Sequence, residues 1–243
     1  MFFPYRDDNP QVLIPYVTYG ILALNVLVFL YQTLLIDPVS SYAFTLRYGL
    51  IPHYFWQHNA PEVLQQYDQV MALRQVQLIP GPVALFTAPF LHAGWLHLLG
   101  NMLFLYVFAD NVEGALGHRK FALFYLFTAL AAGFAQLFMV PDSMLPVVGA
   151  SGAISGVLGA YMLRYPKARI HVFVFIVIFF TTIRLPAIVV LGWWFAIQAF
   201  NGILSMSSEA SGGIAWFEHI GGFVAGLSFM AIAGRRRKLV QRV

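Results

Sequence analysis

Six strongly apolar runs decide what this chain can fold into: residues 16–36, 93–109, 121–140, 147–163, 186–204 and 214–233. Each approaches the ~20 residues that a helix needs to cross a hydrocarbon core of ~30 Å. Inside lipid no water satisfies backbone N–H and C=O groups, so runs of this kind close their hydrogen bonds internally, as helices. The predicted class is an all-α membrane protein, a bundle of six transmembrane helices with a long outer loop between the first and second. A content of 60% hydrophobic and only 10% charged residues excludes a soluble globular domain. Residues 170–183 are equally apolar but short for a span, rich in Val, Ile and Phe, and bracketed by Arg169 and Arg184. They are expected to form a membrane-surface or re-entrant segment instead of a seventh helix.

Charge placement orients the bundle. With the N-terminus inside, the inner connections hold twelve basic residues: Arg6, Arg119, Lys120, Arg164, Lys167, Arg169, Arg184, Arg235, Arg236, Arg237, Lys238 and Arg242. The outer ones hold Arg47 and Arg74. This asymmetry predicts both termini inside. It divides the chain into a cytoplasmic segment 1–15, a membrane domain 16–234 with an outer insertion 37–90, and a basic cytoplasmic tail 235–243. The expected location is a bacterial plasma (inner) membrane. The net charge of +4 comes from these connections and implies no nucleic-acid partner. The start, MFFPYRDDNPQ, lacks the pattern of a removable signal peptide. The absence of cysteine excludes disulfides and thiolate chemistry. Within the insertion, Val63, Leu64, Tyr67, Val70 and Met71 recur at helical spacing, which predicts an amphipathic interfacial helix over 61–79.

The fourth run, VVGASGAISGVLGAYML, carries two stripes of small residues: Ser151, Ser155 and Gly159 on one helix face, and Gly152, Gly156 and Ala160 beside it. Small residues at four-residue spacing let membrane helices approach until their backbones touch. Gly149 and Gly152 bracket Ser151 at the start of this helix, so its hydroxyl could project from an accessible backbone. Packing alone would also explain a serine here.

Polar groups within spans are costly and need reasons. The sixth run opens with Glu218 and His219, followed on the histidine's face by Gly222 and Gly226. Those glycines would bring the helix against the stripe that contains Ser151 and set the two residues at one depth. A neutral imidazole in hydrogen-bond reach can take the serine's proton, whereas its alternative use is a hydrogen-bonded packing contact. In the second run, HAGWLHLLGN, His97 and Asn101 share a helix face and can aim two donors at one point, as a developing oxyanion requires. His92 and His97 could instead suggest zinc, but they are five apart with no carboxylate at a ligand spacing nearby.

Taken together, HAGWLHLLGN, VEGALGHRKF, GASGAISG and EHIGGFVAG, in that order from about Phe86 to Gly234, resemble the rhomboid family of intramembrane serine proteases. The resemblance implies a six-helix core and a serine–histidine dyad without an acid member. Ser151 would be the nucleophile and His219 the general base. His97 and Asn101 would join the Ser151 backbone N–H in the oxyanion hole, and His92 would support the outer loop. Glu113 and Gly117 match the family's inner turn between the second and third spans. The substrates implied are membrane proteins with a helix-destabilised transmembrane segment, cut near the outer surface of the bilayer, with no cofactor and no metal. The family also contains catalytically silent members that act as membrane chaperones or scaffolds. Two departures stand out. Ser155 occupies the place of an aromatic residue that stacks on the histidine, so another group must hold the imidazole. Glu218 stands where a small residue is common; at about 100° around the helix from His219 it is not a direct triad member, and it is expected to be solvated at the outer rim.

Overall fold

A computed structural model describes residues 2–34, 37–66, 73, 75–176, 179–206 and 215–233. In chain order its elements are β1 (Phe2–Asp7), α1 (Tyr16–Leu34), α2 (Pro38–Tyr48), α3 (Pro52–Gln57), α4 (Ala60–Gln65) and α5 (Gly81–Thr87). Then come α6 (Trp95–Leu116), α7 (His118–Met139), α8 (Ser151–Arg164), β2 (Arg169–Ile176), β3 (Phe179–Pro186), α9 (Ala187–Ser205) and α10 (Trp216–Ala233). The molecule is a mostly helical membrane domain. Among the described residues four helices, α1, α7, α9 and α10, are long and apolar enough to cross a bilayer by themselves. A fifth candidate combines α5 and its following turn with α6, bent by 81° between Phe90 and Trp95.

Helices of the structure overlap the apolar runs, and their ends differ from the run boundaries. The second helix continues to Leu116, seven residues past the predicted boundary, because Gly117, at φ 78°, stops it and lets α7 begin at once with His118. The fourth starts at Ser151, since Val147 is engaged in a β-bridge to Leu50 and Gly149 takes φ 126°. At 14 residues α8 is the shortest of the bundle helices, yet every residue from Gly152 to Tyr161 is buried.

Residues 170–176 and 179–183 lie in strands, which adds a small sheet to the mostly helical fold. β2 and β3 pair antiparallel from Arg169↔Pro186 to Ile176↔Phe179, and β1 adds to the other edge of β2. β-Branched residues suit a pleated, half-buried surface, and Ile170, Val172 and Val174 enter the same core as Phe108, Phe121, Val157 and Phe223. The N-terminal segment 1–15 thus contributes a strand. Asp7, at its end, accepts hydrogen bonds from the hydroxyl of Tyr161 on α8 and from Asn111 Nδ2 at 3.1 Å. Burial pushes the Asp7 carboxyl up to about 6, with Tyr161 opposing the shift. His171 on β2 meets Asp8 at 2.7 Å, and this hydrogen bond holds the Asp8 carboxyl below the ordinary range.

Opposite Asn111, Glu113 is completely buried and caps α1. Its carboxylate accepts from the backbone N–H of Val17 (3.1 Å) and Thr18 (2.8 Å) and from the Thr18 hydroxyl (2.6 Å), while His118 Nδ1 lies 2.5 Å away. Orphan amides at a helix start attract a carboxylate, so this one group fixes α1 to the α6–α7 turn.

The described parts of the insertion are mostly short helices, and the helix predicted over 61–79 does not reach its expected end: α4 ends at Gln65 and residues 76–80 are not helical. Ile79 precedes Pro80, a position that disfavours helical backbone, and its N–H goes to the Arg47 carbonyl at 3.3 Å. The predicted Tyr67, Val70 and Met71 positions, like the basic tail 235–243, lie outside the described residues. α5 packs Ala84 and Leu85 against Leu137 of α7 and Val147, which ties the insertion to the stretch leading into Ser151.

The closest approach in the bundle is between α8 and α10. A Cβ on Gly222 would collide with the carbonyl oxygen of Gly152, one on Gly226 with that of Gly156, and one on Gly159 with that of Phe223. The obstacles are backbone atoms, which cannot rotate away. Gly226→Val is expected to force the helices apart and cost at least ~1–3 kcal/mol through overpacking. A lowered melting temperature in detergent reports it; unchanged melting would contradict the contact.

Candidate active site

The α8–α10 contact aligns the starts of both helices. Ser151 Oγ and His219 Nε2 are 2.9 Å apart. The other ring nitrogen, Nδ1, lies 2.7 Å from Gln198 Oε1 on α9, an acceptor, so Nδ1 carries the proton and donates it. In the neutral imidazole Nε2 is then left with its lone pair toward the serine, which donates its O–H. Gln198 is buried. It is the functional candidate that the motifs missed, although a signal was there: a glutamine within the apolar run 186–204 is a costly group that calls for a reason. The missing aromatic at position 155 is also compensated. Trp194 lies beside the His219 ring at 5.9 Å between centroids, and Trp216 meets it edge-on at 6.4 Å. Ser155 turns away, donating its hydroxyl to the Ser151 carbonyl at 2.7 Å.

The helix start is electrostatically prepared. No side chain caps α8, so the N–H groups of its first turn, that of Ser151 included, lack an intrahelical partner and carry the positive end of the helix dipole. Immediately before them, Gly149 brings the backbone against the two side chains predicted from α6. A Cβ at that position would stand 2.8 Å from His97 Nε2 and 3.5 Å from Asn101 Nδ2. Its φ of 126° is one that L-residues rarely adopt, which gives the glycine a second reason. Its own N–H is held by the Ala88 carbonyl at 3.0 Å.

His92 joins this group more directly than a loop-supporting role suggests. Its Nε2 lies 2.9 Å from Asn101 Nδ2 and accepts from that amide, and its ring meets His97 edge-on at 5.1 Å. The His92–His97 pair is thereby engaged in hydrogen bonding and ring packing. A cavity of about 510 Å³ unites the site. Its lining includes His97, Asn101, Ser151, Ser155, Trp194 and His219, together with Gln136 and Glu218. Glu218 departs from expectation. It is 7% exposed, buried against Gly152 instead of solvated at a rim. Its backbone N–H donates to Gln136 Oε1 at 3.1 Å.

A bundle of apolar helices with a partly buried serine–histidine pair lining a cavity defines an integral membrane protein. The chain belongs to the rhomboid family, whose sequence profile, described as Rhomboid domain, matches residues 81–236, well over half of its length. It is 36% identical over 100 residues to Rhomboid-like protein 11, chloroplastic, of Arabidopsis thaliana, covering 40% of this chain and 35% of that one. Over 114 residues it is 32% identical to Rhomboid protein 1, mitochondrial, of Saccharomyces cerevisiae, covering 45% and 33%. Over 129 residues it is 30% identical to the mouse presenilin-associated rhomboid-like protein, mitochondrial, covering 49% and 34%. The matches thus span about a third of each relative's length.

Gln198→Leu removes the acceptor that fixes the ring of His219. The expected result is a folded protein whose His219 nitrogen resonances move from one tautomer toward a mixture, read by nitrogen-15 NMR of labelled histidine. A single unchanged tautomer would transfer that role to the tryptophans.

Proposed function

We propose that this protein is an intramembrane serine endopeptidase acting through Ser151 and His219. The observation that carries the reading is the 2.9 Å contact between Ser151 Oγ and His219 Nε2 in a cavity shared with His97 and Asn101. In the proposed reaction His219 takes the hydroxyl proton as Ser151 Oγ attacks a peptide carbonyl. The oxyanion that forms is stabilised by the Ser151 backbone N–H and the His97 and Asn101 side chains. His219 then returns the proton to the leaving amine as the C–N bond breaks. Water, activated by the same imidazole, hydrolyses the acyl-enzyme and regenerates the serine. Gln198 acts as the positioning residue: it fixes the tautomer, as an acid member does elsewhere, without adding a charge to the hydrocarbon.

The six-span topology follows from the same reading, with α1, α6, α7, α8, α9 and α10 as spans, both termini inside and the dyad toward the outer surface. α8 rises only ~21 Å, so the serine at its start lies below the membrane surface. Substrates are membrane proteins whose transmembrane segment unwinds readily, with Gly, Ala, Ser or Pro near the cleavage point, because an intact helix shields its peptide bonds. Since the chain has no cysteine, His58→Cys in the outer insertion offers a clean label. It should react with a membrane-impermeant maleimide from outside in intact cells or organelles; reaction from the inside alone would invert the topology.

Ser151→Ala and His219→Ala are each expected to abolish cleavage of a transmembrane peptide substrate by purified protein in proteoliposomes. Asn101→Ala should lower turnover on the order of 100- to 1000-fold, the usual effect of losing one oxyanion donor. It should still be labelled, slowly, by a fluorophosphonate at Ser151. Wild-type cleavage by Ser151→Ala would remove the nucleophile assignment. Absence of both cleavage and labelling in the wild type would favour a silent, chaperone-like member.

A further inference from the structure

The reaction as proposed uses Ser151, His219, His97, Asn101 and Gln198, and leaves one ionisable group of the cavity without a task. Glu218 is more than nine-tenths buried and lines the same cavity as the dyad. Because Gly152 has no side chain, the carboxyl reaches the backbone directly after the nucleophile: Oε1 lies 2.8 Å, and Cγ 2.7 Å, from where a Cβ on Gly152 would stand. No group among the described residues donates a hydrogen bond to this carboxyl, even though Gln136 holds its backbone N–H. It is no third member of the dyad, since Nδ1 of His219 is already bound to Gln198.

A buried carboxyl with no donor among the described residues relies on whatever fills the cavity. Covering it with an apolar side chain strips it of water and returns nothing, whereas a hydroxyl, amide or ammonium group replaces the lost hydrogen bond. Sites built around an unsatisfied polar group discriminate strongly for this reason. We propose that Glu218 is the specificity-determining residue of the subsite beside Gly152, which receives the side chain of a residue flanking the scissile bond and selects one that donates a hydrogen bond. The proposal rests on the proteolytic reading of the Ser151–His219 pair and adds to it the chemistry of the substrate.

The test uses the full chain in proteoliposomes and two panels of transmembrane peptide substrates. One panel varies the residue before the cleaved bond and the other the residue after it, through Ala, Ser, Met, Gln and Lys. Ser and Ala, and Gln and Met, are pairs of similar size that differ in donor capacity. In one panel the wild type is expected to show kcat/KM ratios for Ser over Ala and Gln over Met at least tenfold larger than those of Glu218→Ala, measured on the same peptides so that helix propensity cancels. Glu218→Gln keeps an acceptor oxygen without a carboxylate. It should retain the preference for Ser and Gln and lose any preference for Lys. Melting temperature and fluorophosphonate labelling of Ser151 identify preparations with an assembled dyad, and Glu218→Leu, which also lacks an acceptor but fills more of the space, serves if the alanine variant does not fold. Equal ratios in the wild type and in the variant that lacks an acceptor, Glu218→Ala or Glu218→Leu, with labelling intact, overturn the subsite alone. A wild type that neither cleaves nor labels overturns the proteolytic reading, and the subsite with it.

Discussion

Everything at the site depends on two helix backbones touching inside a medium that offers no hydrophobic reward for association. In lipid, α8 and α10 gain by dispersion and close approach, and only glycine permits that closeness. Gly152, Gly156 and Gly159 on one helix meet Gly222, Gly226 and the Phe223 carbonyl on the other. The interlock removes sliding and rotation between the helices, so the side chains at their common end are placed by backbone atoms and not by flexible contacts. A 2.9 Å approach between Ser151 and His219 is the result. Positioning of this kind costs nothing at the moment of reaction, which is where preorganised sites gain their rate.

Much of this could be read from the residues because it follows from local rules. The spans are set by hydrophobic length, the α8–α10 contact by four-residue glycine spacing, and the His97–Asn101 pair by one helical turn. What escaped depended on partners distant in sequence. Residues 170–183 have a run length that fits neither a span nor an ordinary loop, and only the arrival of residues 2–7 along β2 completes a three-stranded sheet. Gln198 is unremarkable as a residue type, and its value lies in meeting a histidine 21 positions later. Glu218 was placed at a solvated rim from its proximity to the helix start, but burial against Gly152 is set by which face α8 presents. The helix over 61–79 failed for a simpler reason: apolar periodicity indicates a face to be covered, and does not guarantee continuity up to a proline.

Two clusters of polar groups lie at opposite ends of α8. Near Ser151 they are neutral donors and acceptors, apart from Glu218. At the other end Glu113 caps α1 and Asp7 binds Tyr161, and basic residues at positions 6, 169 and 184 lie on the sheet. Charged chemistry is thus kept where the sheet and connections can supply partners, and the apolar middle is left to glycine, alanine and large side chains.

α8 is therefore fastened at both ends by bonds that differ in kind: the dyad contact at Ser151 and the β1 strand at Tyr161. A helix held in this way is fixed in phase as well as in position. Each residue added or removed between the two would turn one end relative to the other by 100° and shift it by about 1.5 Å. No side-chain adjustment could correct an error of that size. The ten-residue interval from Ser151 to Tyr161 acts as a ruler, and the length of α8 is as closely constrained as the glycines along it.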